Sequence, residues 1–303
     1  MGRRRRRLGF ESEPGGHGLG MDLDGEMDRS LSLKRLGDDR AARVGARLAP
    51  SHFLAGPLRE LGYDSRELWA WNNYRPVVLA FVETLRRAGR HDSGTVRLLE
   101  VGGGRAPLLT PEQAGDLGVA LTVNDIDARE LSLAPKGFAT ACFNIAGDVD
   151  PALLGKFDLI FSRMVLEHVK DAPRAWRNMQ ALLAPGGVAL AYHPTLYSLP
   201  FVLNWLMPEA LSARALRAFI PWRHDDGYPK FPARYEMCFA TPSRVEPMLR
   251  DAGFSEVLIA PFFGHRYLRR VPVAREAEGA LQALADRRDW RLLASYAYSL
   301  ARR

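Results

Sequence analysis

With 303 residues, 47% of them hydrophobic, the chain is long enough for one large domain with an insertion, and no run of about 18 apolar residues marks a membrane span. The net charge of +7 is concentrated: five of the seven charges are Arg3 to Arg7, which leaves +2 for residues 8–303 and argues against a nucleic-acid face on the folded part. Cys142 and Cys238 are the only cysteines; two so far apart make neither a disulfide framework nor a zinc-site pattern, so a reducing, cytoplasmic setting is expected.

Residues 1–40 are rich in Gly, Arg and Asp and poor in aromatics, the composition of a disordered tail. The apolar stretch that an export signal needs does not follow the arginine run. Residues 41–95 read as an N-terminal helical cap. Within it "SRELWAWNNYRPVVLAFVETLRRAG" offers Ser65 as a cap and ends on Arg86, Arg87 and Gly89, with Pro76 expected to kink or divide it. From residue 96 the texture becomes strand and helix in alternation. "TVRLLEV", "VALTVND", "FATACFN", "FDLIFSR", "VALAYHP" and "SEVLIAPFF" are the apolar strands, and "LLASYAYSLARR" supplies a last one. Between them lie "TPEQAGDLG", with Thr110 and Gln113 as a capping box, "ARELSLAP", "DAPRAWRNMQALLAPGG", capped by Asp171, and "TPSRVEPMLRDAGF". Residues 274–290 read as a further helix. Apolar strands separated by helices call for a parallel sheet covered on both faces. Residues 194–240, full of aromatics and prolines, are too long for a connection and suit a lid insertion.

The first strand runs into Gly102-Gly103-Gly104, glycines that let a backbone approach a ligand closely. A dinucleotide fingerprint fails, because its third glycine position holds Pro107. Asp125, 21 residues after Gly104 at the end of the second strand, suits ribose hydroxyls, which any adenosine cofactor carries.

Taken together, Glu100-x-Gly102-x-Gly104, Asp125, "FDLIFSRMVLEHV" and "LLAPGG", in that order and at strand-sized intervals over residues 96–193, resemble the class I methyltransferases that use S-adenosylmethionine (SAM). The likeness is strongest to the small-molecule group with Glu-His after strand four. It implies an α/β fold: a Rossmann-like, doubly wound, mostly parallel seven-stranded sheet with an antiparallel last strand. It further implies SAM as cofactor and transfer of a methyl group to a small molecule, O-methylation foremost. Residue by residue, Glu100 would help hold the methionine amino group, Gly102, Gly103 and Gly104 would pack on the cofactor, and Asp125 would take both ribose hydroxyls. Ile126 would lie against adenine, Asn144 would accept from the adenine amino group, and Ser162 and Arg163 would line the methionine side, largely by backbone. Pro107 and the late cap at Thr110 depart from the family's pattern.

DNA-directed subclasses are disfavoured: "SRMVLEHV" stands where amino-methylating enzymes carry Pro-Pro-aromatic, and neither cysteine follows a proline. No compact His, Asp and Glu set suggests a metal. SAM carries its own activation, so a base is needed only if the acceptor must lose a proton. His168 and His193 are the candidates; local bonding in a helix turn is the plain alternative for His168. His224 with Asp225 and Asp226 is a further pair, read as solvated loop polarity, and Trp71, Tyr74 and Arg75 either close over the cofactor or belong to the core. The lid's "LYSLPFVLNWLMP" suits an apolar acceptor or simple packing. Two other classes remain: a catalytically silent methyltransferase-like partner subunit, and an RNA-associated protein using the arginine tail.

Overall fold

The computed structural model describes residues 45–48, 52–88, 94–206, 232–265, 267 and 272–303. The arginine tail, most of the insertion, and His224 with its two aspartates lie outside the described residues. Among those described, no helix is long and apolar enough to cross a membrane.

Seven strands form one sheet: β1 (Val96–Val101), β2 (Val119–Asp125), β3 (Ala139–Cys142), β4 (Phe157–Arg163), β5 (Leu183–Pro194), β6 (Glu256–Phe262) and β7 (Tyr296–Arg302). Their spatial order is β3-β2-β1-β4-β5-β7-β6. The first five run parallel, and β7 pairs antiparallel with both β5 and β6. The doubly wound reading and the antiparallel last strand are both found. β4 is the centre of the sheet and is buried from Phe157 through Ser162, as a strand covered on both faces should be.

The helices are α1 (His52–Glu60), α2 (Glu67–Arg87), α3 (Pro111–Asp116), α4 (Ala128–Ser132), α5 (Ala172–Leu182), α6 (Leu199–Leu206), α7 (Pro242–Asp251) and α8 (Pro272–Arg288). Their starts follow from local side chains. Thr110 and Gln113 close a reciprocal capping box on α3, and Asp127 and Asp171 accept from Arg129 N and Arg174 N at 2.8 Å each. The core face of α5 is Ala172, Ala175, Trp176, Met179 and Leu182, the three-and-four spacing of a helix with one apolar stripe.

Three local expectations change. α2 runs unbroken through Pro76; the carbonyl that the missing N–H would have met belongs to exposed Asn72 and can turn to water. Ser65 does not cap α2; the N-cap is Arg66, and the Ser65 hydroxyl donates to Asp286 Oδ1 at 2.6 Å, tying the start of α2 to the end of α8. β5 begins at Leu183 rather than 188: Phe157 pairs with Leu183 but Leu159 with Val188, so the intervening residues bulge. Gly187 is required there, since a Cβ would meet two carbonyl oxygens at 3.0 Å.

α2 lies on one face of this sheet. Tyr74 packs against Tyr192 of β5 and Tyr298 of β7, with ring centroids 5.9 and 6.2 Å apart, and the buried Tyr298 hydroxyl donates to Ala70 O. Parallel partners project to the same side. The pairs Glu100–Phe161 and Arg163–Tyr192 therefore put Glu100, Arg163 and Tyr192 on the α2 face, and Ser162 and His193 on the other.

Candidate functional site

In the order β3-β2-β1-β4-β5, the chain's path reverses direction between β1 and β4. Loops leaving the carboxyl ends of those two strands diverge and open a crevice, the place where such sheets bind ligands. Glu100, Gly102–Gly104, Asp125, Ile126, Ser162 and Arg163 all stand at or just beyond those carboxyl ends. The sequence motifs thus converge.

The glycine turn is tightly defined. Gly102 has φ 74° and Gly104 φ 44°, the left-handed region that favours glycine. A Cβ on Gly102 would come within 2.5 Å of Val165, and one on Gly104 within 2.9 Å of Asp125 Oδ2. Gly103 N donates to Asn124 O at 3.0 Å, so the turn leans on the end of β2. The result is a bare backbone facing a carboxylate, a cradle that a side chain would fill.

Pro107 and the late Thr110 cap now have a physical account. The turn folds inward, and Leu108 N donates to Glu100 Oε2 at 2.8 Å. Arg105 reaches the other way and grips Glu130 of α4 through two bonds of 2.6 and 2.5 Å, a fork-to-carboxylate fit. Both ends of the extended turn are thereby fastened, one to β1 and one to the helix after Asp125. Neither Arg105 nor Glu130 was singled out by the sequence reading; two charges 25 positions apart give no local signal.

Glu100 is 6% exposed. Burial raises its carboxyl from 4.5 to about 7, against the opposing pull of the Leu108 N–H and the Arg163 charge. Asp125 is half-buried. Its carboxyl is raised by burial and by nearby Glu130, while the Asp127 and Ile126 backbone N–H groups lower it. Its Oδ1 accepts from Asp127 N at 2.9 Å, and its Oδ2 points at Gly104. Ile126 stands 59% exposed directly after it, an apolar side chain held out at the crevice rim. Asn144 is exposed at the end of β3, with Oδ1 accepting from Ala146 N at 3.0 Å; one of the amide's acceptor sites is thus spent on its own turn. Ser162 is buried, and its hydroxyl has no partner among the described residues.

The two histidines part company. His193 is 1% exposed, on the face away from α2. Its Nδ1–H donates to Pro194 O at 3.0 Å, and its Nε2 accepts from the Ser299 hydroxyl at 2.9 Å. Burial lowers its pKa to about 4, so the ring is neutral and both nitrogens are engaged inside the β5–β7 seam. His168 closes the 3₁₀ turn Leu166–His168 just after β4. Its Nδ1 lies 3.1 Å from Pro232 O, and its Nε2 is 3.8 Å from the Glu167 carboxylate. The same turn receives the end of the insertion: Arg234 N and Tyr235 N both donate to Glu167 O, at 2.6 and 3.0 Å.

Such a sheet, opening between β1 and β4 beside a glycine turn and two strand-end carboxylates, with no helix dipole aimed at a pyrophosphate, defines a protein that takes an adenosine cofactor with an amino-acid rather than a diphosphate tail. The methyltransferase-domain family model matches residues 68–258, more than half of the chain. The protein belongs to this family and is a class I SAM-dependent methyltransferase. It is similar to the ubiquinone biosynthesis O-methyltransferase of Caulobacter sp. (strain K31), 28% identical over 192 residues, 54% of this chain and 75% of that protein. Similar solved structures include the CMeT domain of the citrinin polyketide synthase, 16% identical with a TM-score of 0.45, covering 75% of this chain and 52% of that one. Here the match spans about half of the longer chain. Another is a SAM-dependent methyltransferase from Mesorhizobium loti, 19% identical with a TM-score of 0.41, covering 72% of this chain and 95% of that one.

Proposed function

We propose that the protein transfers a methyl group from SAM to a small-molecule acceptor, at oxygen first of all. The observation that carries this reading is the cradle at the β1–β4 crevice: bare glycine backbone between the Glu100 and Asp125 carboxylates. Its donor set suits the cofactor. Glu100 faces where a cationic amino group is wanted, Asp125 Oδ2 is directed at the glycine turn where ribose hydroxyls would bridge, and Ile126 offers an apolar edge to a purine. Ser162 and the backbone after β4 complete the methionine side, and Asn144 keeps an amide N–H and a second lone pair for the purine rim. When bound, SAM supplies a sulfonium methyl already activated for in-line displacement.

The chain's own contribution is then to align and to exclude water. For an acceptor hydroxyl, His168 is the base. A neutral ring that donates from Nδ1 to Pro232 O keeps its Nε2 lone pair, and it sits where the insertion rejoins the domain. His193 is assigned to the β5–β7 seam, because its ring is buried and both nitrogens are engaged. Support for oxygen as the methylated atom comes from the Caulobacter relative, whose name states O-methylation. The acceptor is a free small molecule rather than DNA, with no transmembrane anchor required. The test is calorimetry and turnover with the full chain: SAM and S-adenosylhomocysteine are titrated in, then methyl-labelled SAM is offered with a panel of phenols, acids and amines. Labelled product from phenols supports the reading. Failure of the folded chain to bind either cofactor form refutes it.

A further inference from the structure

On the α2 face, one cation stands beside Glu100. Arg163, the last residue of β4, is exposed, and its guanidinium carbon lies 5.5 Å from the Trp71 ring centroid and 5.6 Å from that of Tyr74. Among the described residues it makes no ion pair and no side-chain hydrogen bond. Two aromatic rings from α2 hold it in place while leaving its fork of N–H donors unspent. The Tyr74 hydroxyl is equally unspent: the residue is 1% exposed, and its oxygen is buried with no hydrogen-bond partner among the described residues. A buried hydroxyl left in that state costs stability unless a ligand completes it. Glu100 and Arg163 are the two charges that act on that hydroxyl.

The register sets the spacing. Glu100 aligns with Phe161, so Arg163 is one strand across and two residues further along, on the same face. Strand spacing and rise put the two Cα atoms about 8 Å apart. Side chains converging from that separation bracket a small dipolar group, with the negative end beside Arg163 and the positive end beside Glu100.

We propose that Arg163, held by Trp71 and Tyr74, together with the Tyr74 hydroxyl, is a carboxylate seat that pairs with Glu100 to read an α-amino-acid zwitterion, the tail of the methyl donor. This rests on the SAM site proposed above. It gives the Arg163 side chain, and not only its backbone, a task, and it makes Tyr74 of the helical cap a ligand residue. A flat acid acceptor would also satisfy a caged arginine, but it would leave the adjoining Glu100 carboxylate without a cation.

The experiment compares three ligands by calorimetry on the full chain: S-adenosylhomocysteine, its decarboxylated amine S-adenosyl-3-thiopropylamine, and 5′-deoxy-5′-methylthioadenosine, which has no amino-acid tail. The wild type is expected to bind S-adenosylhomocysteine roughly 10–100-fold more tightly than the decarboxylated amine, the usual size of a charge-assisted contact. Arg163→Gln should abolish most of that preference while changing affinity for the two carboxylate-free ligands by less than about twofold. Tyr74→Phe keeps the ring over Arg163 and should lose part of the same preference; it also guards against a variant that fails to fold. Equal binding of homocysteine and amine forms by the wild type, or equal losses for all three ligands in Arg163→Gln, overturns the seat and leaves the cofactor site standing. A preference that persists in Arg163→Gln also overturns it. A wild type that binds none of the three overturns the cofactor reading and the seat together.

Discussion

Replacing Glu100 by Gln is expected to make the ligand-free chain more stable at alkaline pH while weakening its hold on the methyl donor. The buried carboxyl titrates near 7 instead of 4.5. At about 1.4 kcal/mol per pH unit, keeping it ionised costs the folded chain about 3 kcal/mol. The sign follows from proton counting. Between pH 4.5 and 7 the folded chain holds this proton and the unfolded chain has lost it, so stability falls as pH rises through that window and is flat above it. Glutamine has the same shape, still accepts from Leu108 N, and carries no charge to desolvate. Urea unfolding at pH 4.5 and pH 8 should show the variant equal to wild type at the lower pH and more stable by up to about 3 kcal/mol at the higher. A companion reading comes from binding. At pH 7 the free carboxyl is about half protonated, and an ammonium arriving beside it favours the charged form. About half a proton per chain should therefore leave on SAM binding, visible as buffer-dependent heats and missing in Glu100→Gln. Identical pH dependence of stability in the two proteins would refute the reasoning.

Asp125→Ala removes the only carboxylate facing the glycine turn from β2 and should weaken SAM binding roughly 10–100-fold, read by calorimetry, with little change in unfolding midpoint. Gly102→Ala combines a φ of 74° with a Cβ 2.5 Å from Val165, so it should lower stability by about 1–3 kcal/mol and displace the turn; thermal unfolding and SAM affinity should both fall. His193 has a folded pKa lowered to about 4, so the stability tied to its neutral ring is complete above 6.5 and is lost as pH drops toward 4. His193→Leu strands the Ser299 hydroxyl and should cost about 1–3 kcal/mol without altering the pH profile of turnover, whereas His168→Ala should remove the alkaline-rising limb of that profile for hydroxyl acceptors.

What the sequence disclosed follows from what is local. The strands of the central sheet are short apolar runs, and "VALTVND" and "FDLIFSR" coincide with β2 and β4 to the residue. The capping box at Thr110 and the Asp171 cap need only three neighbouring positions, and both are present. The glycines and the two strand-end acids are legible because a crevice at a strand-order reversal demands small residues and acceptors at those places. The side chains that fasten the site are not. Arg105 with Glu130 and the Trp71–Tyr74 clamp on Arg163 link residues 25 to 92 positions apart, and an aromatic stripe on a helix reads as core until its hydroxyl proves unpartnered. Ser65 was misjudged for the same reason: its partner, Asp286, is more than two hundred residues away. His193 shows the limit of reasoning from strand ends, because alternation along β5 sends its side chain to the opposite face from Tyr192.

The position of β7 bears on how the chain is made. β6 precedes β7 in sequence but touches β5 only through it. While the polypeptide emerges, the five parallel strands can assemble, but β6 has no edge to join until Tyr296–Arg302 arrive to slot between. Seven late residues close the sheet on both sides at once. A ribosome stalled some forty residues short would leave the open edges of β5 and β6 facing solvent, an exposed template for pairing with another nascent chain.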